Sequence, residues 1–93
     1  MHRNFPRFLK DRIQEQGLSV RKFALKCEIS PGYVSRIISG DREPGNEVLK
    51  RMANALHFDV DRFSLIAGRV QNEELIEPIY YYLLDLETRD TNK

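Results

Sequence analysis

The sequence predicts an all-α fold, with five short helices forming one domain over residues 1–68 and a C-terminal extension over residues 69–93. Three observations lead to this prediction. Apolar residues recur at intervals of three and four, which is typical of amphipathic helices. Helix-capping residues and glycines stand at the borders of these apolar segments. The 93 residues, of which 41% are hydrophobic and 31% charged, have room for one compact core.

The first two helices are predicted from their caps and apolar faces. Asn4 is expected to cap a helix over residues 5–16, which ends at Gly17. Ser19 is expected to cap a second helix over residues 19–27. The inward residues are Phe5, Phe8, Leu9 and Ile13 in the first helix, and Val20, Phe23, Ala24 and Cys27 in the second.

Three further helices follow from the same signals. Ser30 before Pro31 indicates the start of a third helix, which Gly40 closes. Asn46 and Asp59 are expected to cap the fourth and fifth helices. The inward residues are Val34, Ile37 and Ile38 in the third helix, Val48, Leu49, Met52, Ala53 and Leu56 in the fourth, and Val60, Phe63 and either Leu65 or Ile66 in the fifth.

The C-terminal extension contains the most apolar segment outside the five helices. Its residues Leu75, Ile79, Tyr82 and Leu86 have heptad-like spacing, which favours a helix, although the aromatic run over residues 79–84 is also compatible with a strand. Three consecutive tyrosines cannot all point inward, so this segment either packs on its own core, forms a homodimer or binds another protein. The expected dimerisation residues are Ile79, Tyr80, Tyr82, Leu83 and Leu86.

The charge is distributed unevenly along the chain. Residues 1–70 carry thirteen Lys and Arg against eight Asp and Glu, whereas residues 71–93 carry two against six. A basic body of this kind suits an anionic partner such as double-stranded DNA, and ordinary solvated surface charge is the alternative.

The second and third helices are separated by a tight turn, and this arrangement presents the later helix to the DNA major groove. The exposed positions of the third helix are expected to be Pro31, Gly32, Tyr33, Ser35 and Arg36. An arginine at such a position can donate two hydrogen bonds to guanine.

Several stretches of the chain together resemble the lambda-type phage repressor and Cro helix-turn-helix family of bacterial regulators. The matching residues are Leu18-Ser19, Phe23-Ala24, Ile29-Ser30, Tyr33 to Ile37, Ser39 to Pro44, Leu49 and Met52 to Leu56, and the resemblance covers about residues 5–68. It implies five helices, with the third in the major groove, Pro31, Gly32 and Arg36 at the bases, Tyr33 and Ser35 at the groove wall, and Ser39 and Arg42 near phosphates.

The chain departs from the family pattern in three places. The base-facing Pro31 and Gly32 carry no hydrogen-bonding side chain, so direct base contacts are expected to be few. Asp41 and Glu43 flank Arg42 where basic residues are usual, which is expected to weaken the attraction of that loop for phosphate. Val20 stands where the family commonly has a polar residue, so Arg21 or Lys22 is expected to contact the DNA backbone instead. The expected DNA-binding residues are Arg21, Lys22, Ser30, Pro31, Gly32, Tyr33, Ser35, Arg36, Ser39 and Arg42.

The function predicted from the sequence is that of a DNA-binding transcriptional regulator, most simply a dimeric repressor of an inverted-repeat operator in a bacterial cytoplasm. The alternative is a protein-interaction module, such as an antitoxin, that binds its partner through the C-terminal segment. No enzyme, cofactor or metal site is expected, because His2, Cys27 and His57 lack metal-ligand spacing and no glycine-rich phosphate loop is present. No apolar run is long enough to span a membrane. His2 is expected to be mobile, Cys27 to be a core residue, and His57 to end the fourth helix.

Overall fold

The computed structural model describes residues 1–69 and 72–91, with side chains described as far as residue 87. The described residues form α-helices, one short 3₁₀ helix and no strand. The helices are α1 (Phe5–Glu15), α2 (Val20–Cys27), α3 (Pro31–Ile38), α4 (Asn46–Ala55), α5 (Val60–Ile66), the 3₁₀ helix Glu73–Leu75 and α6 (Ile76–Thr91). A search of these helices finds none long and apolar enough to cross a membrane.

The prediction of an all-α, five-helix domain is confirmed, and so is the helical form of the C-terminal extension. The strand alternative for residues 79–84 is wrong, because this stretch lies inside α6. The helix packs against α5, so the amphipathic spacing outweighs the local β preference of the tyrosines. The division into two units at residue 68 stays a prediction.

Side-chain caps start three of the α-helices. The Ser19 Oγ accepts from the Lys22 amide at 3.1 Å, and the Asp59 Oδ1 accepts from the Arg62 amide at 2.8 Å. At the start of α3, the Ser30 Oγ accepts from the Tyr33 amide at 3.1 Å. Each cap satisfies a backbone donor that has no partner inside the helix, a contribution of about 1 kcal/mol.

Two of the predicted caps differ from the structure. Gly45, in an extended conformation, occupies the cap position of α4, so Asn46 is the first helical residue and not the cap. Asn4 does occupy the cap position of α1 but caps no amide with its side chain. Its Nδ2 instead donates to the Tyr81 hydroxyl at 3.2 Å, which ties the start of α1 to α6.

The core combines the inward faces of all six α-helices. At its centre the rings of Phe5, Phe8, Phe58 and Phe63 contact one another with centroids 5.4–6.2 Å apart. Burial of an apolar side chain of this size contributes about 1.5–3 kcal/mol, so this aromatic cluster is a main source of stability. Cys27 is buried in the same core, as predicted.

The N-terminal residues are packed against the rest of the fold. The expectation that His2 would be mobile is wrong. Its backbone amide donates to the Ala67 carbonyl at 2.9 Å, and its ring stacks on Tyr80 with centroids 3.9 Å apart. Gly68 allows this close approach, because a Cβ there would lie 2.8 Å from the His2 nitrogen. The segment therefore joins the end of α5 to α6.

Candidate nucleic-acid interface

A short turn fixes the position of α3 on α2. Glu28 ends α2 in the left-handed region at φ 58°, where its amide donates to the Leu25 carbonyl. The next amide, that of Ile29, donates to the Ala24 carbonyl at 3.0 Å. The helix α3 begins two residues later, at Pro31. A left-handed conformation is unfavourable for a residue with a Cβ, so the surrounding contacts must hold Glu28 there.

The helix α3 has one buried face and one exposed face. Val34 and Ile37 are fully buried, which fixes the rotation of the helix about its axis. The opposite face is open to solvent, and Tyr33 lies half-buried at its edge. The exposed side chains from this helix and its two ends are those of Ser30, Pro31, Gly32, Ser35, Arg36 and Ser39. The structure thus brings these predicted DNA-binding residues together on one surface.

Arg36 carries the charge of this exposed face. No carboxylate within the described part of the chain lies at ion-pair distance from its guanidinium. All five of its N–H donors are therefore open to an external acceptor. Arginine pairs bidentately with phosphate oxygens or with the O6 and N7 atoms of guanine.

Arg42 extends the positive surface from the loop after α3. Its guanidinium lies 4.7 Å from the centre of the Tyr33 ring, which is a cation–π contact. A concavity of about 310 Å³ lies at the start of α3, next to Arg42. It is lined by Ser30, Gly32, Tyr33, Arg36 and Arg42. Two arginines therefore face one depression beside the exposed face of α3.

The acidic neighbours of Arg42 are engaged elsewhere. The Asp41 carboxylate accepts from the Ser39 hydroxyl at 3.0 Å. Glu43 pairs with the ammonium group of Met1, whose hydrogen bond and charge hold the pKa of the Glu43 carboxyl below its usual range. Within the described part of the chain, neither carboxylate forms an ion pair with Arg42, although Asp41 keeps its negative charge close to it.

The helix α2 adds two exposed cations beside this surface. Arg21 and Lys22 are both open to solvent. Val20, one departure from the family pattern, is half-buried and lines a shallow, mostly apolar groove with Leu18 and Ile38. Val20 has no polar group to offer a phosphate, so a contact between α2 and the DNA backbone would have to come from Arg21 or Lys22.

The predicted dimerisation residues differ in their exposure. Tyr80 and Leu83 are only 4% and 8% exposed, because they lie three residues apart on the face of α6 that enters the core. They offer little surface to a second chain, and their role in a dimer stays a prediction. Tyr82 is 65% exposed, whereas Ile79 and Leu86 are half-buried.

Leu75 extends the apolar row that Ile79, Tyr82 and Leu86 form along α6. It is the last residue of the 3₁₀ helix, four residues before Ile79, and is 46% exposed. We call the four residues Leu75, Ile79, Tyr82 and Leu86 the α6 stripe. The spacing of three and four residues keeps Ile79, Tyr82 and Leu86 on one side of α6. Ile79 and Leu86 also pack against the core, so the exposed apolar area of the stripe comes mainly from Leu75 and Tyr82.

Sequence reasoning missed several residues around this site. His2 is the main one: its Nδ1 accepts from the Asn4 amide at 3.0 Å. Its Nε2 is 3.1 Å from the Glu77 carboxylate but outside hydrogen-bond geometry. Arg69 donates to the Pro44 carbonyl and ties the loop after α3 to the end of α5. No local sequence signal marks the contacts of His2 with Glu77 and of Arg69 with Pro44, which join positions far apart in the chain.

Reactive side chains are not gathered in the described part of the chain. Burial raises the pKa of the Cys27 thiol to about 11, so it remains protonated at neutral pH and is a poor nucleophile. A search of the described residues finds no group of three or more His, Cys, Asp and Glu that could hold a metal ion.

A comparison with protein-family models gives a match that agrees with this geometry. Residues 9–63, which contain α2, the turn and α3, match the helix-turn-helix family model. The chain belongs to the lambda repressor and Cro-like helix-turn-helix family. This membership supports a DNA-binding regulator. Searches of curated proteins and of solved structures return no match.

Proposed function

We propose that this helix-turn-helix protein is a sequence-specific transcriptional regulator that inserts α3 into the major groove of double-stranded DNA. The observation that carries the proposal is the exposed face of α3, where the unpaired Arg36 stands beside the Arg42–Tyr33 contact. This surface matches the electrostatic and hydrogen-bonding needs of a duplex, because phosphates attract the two cations and base edges accept from arginine.

The other predicted contacts divide between base edges and the DNA backbone. Pro31, Gly32 and Arg36 are proposed to lie at base edges, with Tyr33 and Ser35 at the groove wall. The proposed contacts to the DNA backbone come from both sides of the helix, through Arg21, Lys22, Ser30, Ser39 and Arg42. Ser39 can donate to a phosphate only when its hydroxyl leaves the Asp41 carboxylate. All of these residues are exposed except the half-buried Tyr33. Phosphate contacts fix the register of α3, and base contacts select the sequence.

The regulator is proposed to act as a homodimer on an inverted repeat. One short helix reads only a few base pairs, and two-fold pairing doubles the contacts at half-sites roughly 34 Å apart. The α6 stripe is the proposed contact between protomers, because Tyr82 and Leu75 expose apolar area. A dimer bound at a promoter of a bacterial or phage genome would exclude polymerase, so repression in the cytoplasm is the simplest outcome.

Selection from a random duplex library tests the proposal. The full chain is expected to enrich an inverted repeat and to bind it about 10³-fold or more above scrambled duplex at two salt concentrations. The matched pair of variants is Arg36→Ala and Lys50→Ala, since both positions are exposed but Lys50 lies on α4. Arg36→Ala should relax the preference at one base pair per half-site, whereas Lys50→Ala should not change it.

A second candidate function follows from the exposed apolar residues of α6. If the library yields no enriched sequence and the binding of DNA disappears as salt rises, the helix-turn-helix surface does not recognise a specific operator sequence. The chain would then be a protein-interaction module, such as an antitoxin, with the α6 stripe as its binding surface. The same experiment therefore separates the two candidates.

A further inference from the structure

We propose that the groove between α1, α2 and α3 binds a small carboxylic acid with an apolar body, and that the bound acid weakens the binding of DNA. The site itself is independent of the proposed function, whereas its effect on DNA rests on that function. The groove has a volume of about 320 Å³. Small-molecule sites typically have volumes of about 300–1,000 Å³, and a protein interface needs a larger surface.

Apolar side chains from three helices meet in this groove. They are Ile13 of α1, Leu18 of the connection to α2, Val20 of α2 and Ile38 of α3. Ile13 is buried, whereas the other three pack against the core and are only half-buried. An apolar ligand would remove their remaining surface from water, which is favourable. The groove therefore suits the hydrocarbon part of a small molecule.

Lys10 sets the charge that the ligand should carry. Among the described residues, it is the one charged side chain that lines the groove, and it is exposed. Its neighbours three and four positions away on α1 are Pro6, Arg7, Ile13 and Gln14, none of which is acidic. No carboxylate of the described residues lies at ion-pair distance from Lys10. An anionic ligand is thus favoured over a cationic one.

Uncharged donors beside Lys10 match a carboxylate. Gln14 and Ser19 line the same groove. The Ser19 Oγ accepts from the Lys22 amide as a helix cap, which leaves its hydroxyl hydrogen to donate, and the Gln14 amide nitrogen is also a donor. A carboxylate only accepts hydrogen bonds. Donors and apolar surface together therefore specify a carboxylic acid with an apolar body.

The groove adjoins the proposed DNA-binding surface. Ser35 and Ser39 line it and are also among the predicted DNA-binding residues. Val20 directly precedes Arg21 and Lys22, the proposed backbone contacts of α2. A bound acid would cover part of α3 and place a negative charge where phosphates approach. Acid and DNA should consequently each weaken the binding of the other.

Titration of the full chain with three probes tests the site, with amide chemical shifts as the readout. Octanoate should shift the amide signals of the residues that line the groove. Hexanoate lacks two CH₂ groups and should bind about tenfold more weakly. Octylammonium has a similar chain and the opposite charge, and at low salt it should bind about fivefold more weakly than octanoate, since an exposed charge contributes little. High salt should reduce this preference.

Two pairs of variants locate the probe. Lys10→Gln should weaken the binding of octanoate about threefold, whereas Lys50→Gln, which changes an exposed lysine on α4, should not. Val20→Thr places a hydroxyl among the apolar side chains and should weaken binding about fourfold. Val60→Thr is its matched control, because Val60 is also half-buried at the first position of an α-helix. Thermal melting checks that each variant keeps the fold.

The effect on DNA is measured with the duplex that the full chain enriches. Saturating octanoate should weaken the binding of this duplex about fivefold. Acetate at the same concentration is the control, because it supplies the carboxylate and the ionic strength without the apolar body. In Val20→Thr, more octanoate should be needed for the same loss of DNA affinity.

Each alternative result overturns a stated part of the proposal. The site is wrong if octanoate leaves the groove amides unshifted, if octylammonium binds equally well, or if Val20→Thr and Val60→Thr behave alike. Groove shifts that grow with protein concentration without any probe would assign the groove to a second copy of the chain. Equal DNA affinity in octanoate and acetate would overturn the coupling. Failure to enrich any duplex would overturn the proposed function and the coupling, but not the site, because the amide titrations contain no DNA.

Discussion

At the scale of single residues, the structure gives Arg36 and Arg42, to which the sequence assigns different DNA contacts, different surroundings. Arg36 projects from the exposed face of α3, whereas Arg42 stacks on Tyr33 in the following loop. The two flanking carboxylates of Arg42 are occupied by Ser39 and by the Met1 ammonium. We therefore propose that Arg42 meets a phosphate and not a particular base.

The first prediction concerns this phosphate contact. Arg42→Ala should weaken binding to all duplexes by a similar factor and should reduce the slope of log affinity against log salt by about one. Titrations of the enriched and scrambled duplexes over a range of salt concentrations measure both effects. Arg36→Ala is the contrasting variant, because it should weaken the enriched duplex more than the scrambled one. An unchanged salt slope in Arg42→Ala would mean that its charge contacts no phosphate.

At the scale of helices and segments, the sequence predicts those elements whose signals are local. The caps of α2, α3 and α5 lie next to the helices that they start, and the apolar periods of α1 to α5 are regular. The exposed face of α3 follows directly, since Val34 and Ile37 fix which side is buried. Local patterns are therefore sufficient for the domain and for much of the candidate interface.

Contacts between distant elements explain what the sequence could not predict. The buried face of α6 depends on its packing against α5, so the heptad-like pattern alone did not show that Tyr80 and Leu83 join the core. His2 is buried only because Tyr80 and the chain near Ala67 enclose it from distant positions. Periodicity specifies a helix but does not specify its neighbours.

The second prediction concerns the N-terminal segment as an anchor for α6. His2→Ala removes the ring that stacks on Tyr80 and should lower the free energy of unfolding by about 1–3 kcal/mol. Arg3→Ala is the matched control, because the Arg3 side chain is 75% exposed and should change stability by less than about 0.5 kcal/mol. Urea unfolding followed by circular dichroism measures both. Equal stability of the two variants would mean that the stack does not anchor α6.

At the scale of the whole molecule, charge and apolar surface lie on different parts of the chain. The exposed cations of α2, α3 and the following loop lie within residues 1–68, whereas the extension is acidic and carries the α6 stripe. DNA is attracted to the first part and repelled by the second. We therefore propose that the stripe contacts a second protein while α3 lies on DNA.

The final prediction tests whether that second protein is another copy of this chain. Leu75→Glu and Tyr82→Glu place a carboxylate on the α6 stripe, and burying an unpaired charge in an apolar interface is strongly unfavourable. Each variant should weaken self-association at least about tenfold, as measured by sedimentation at several concentrations. Leu25→Glu is the matched control, because Leu25 is 79% exposed on α2 and lies off the stripe.

These substitutions are more specific than deletion of the extension, since deletion would also remove Tyr80 and Leu83 from the core. The stripe variants should retain the wild-type melting temperature and still bind a single half-site, while losing the preference for an inverted repeat. A wild-type chain that is monomeric at all concentrations, or stripe variants that sediment as the wild type does, would contradict the dimer. In the first case a monomer bound to one half-site would have to supply all the specificity, which the few base contacts of one α3 limit to a short sequence.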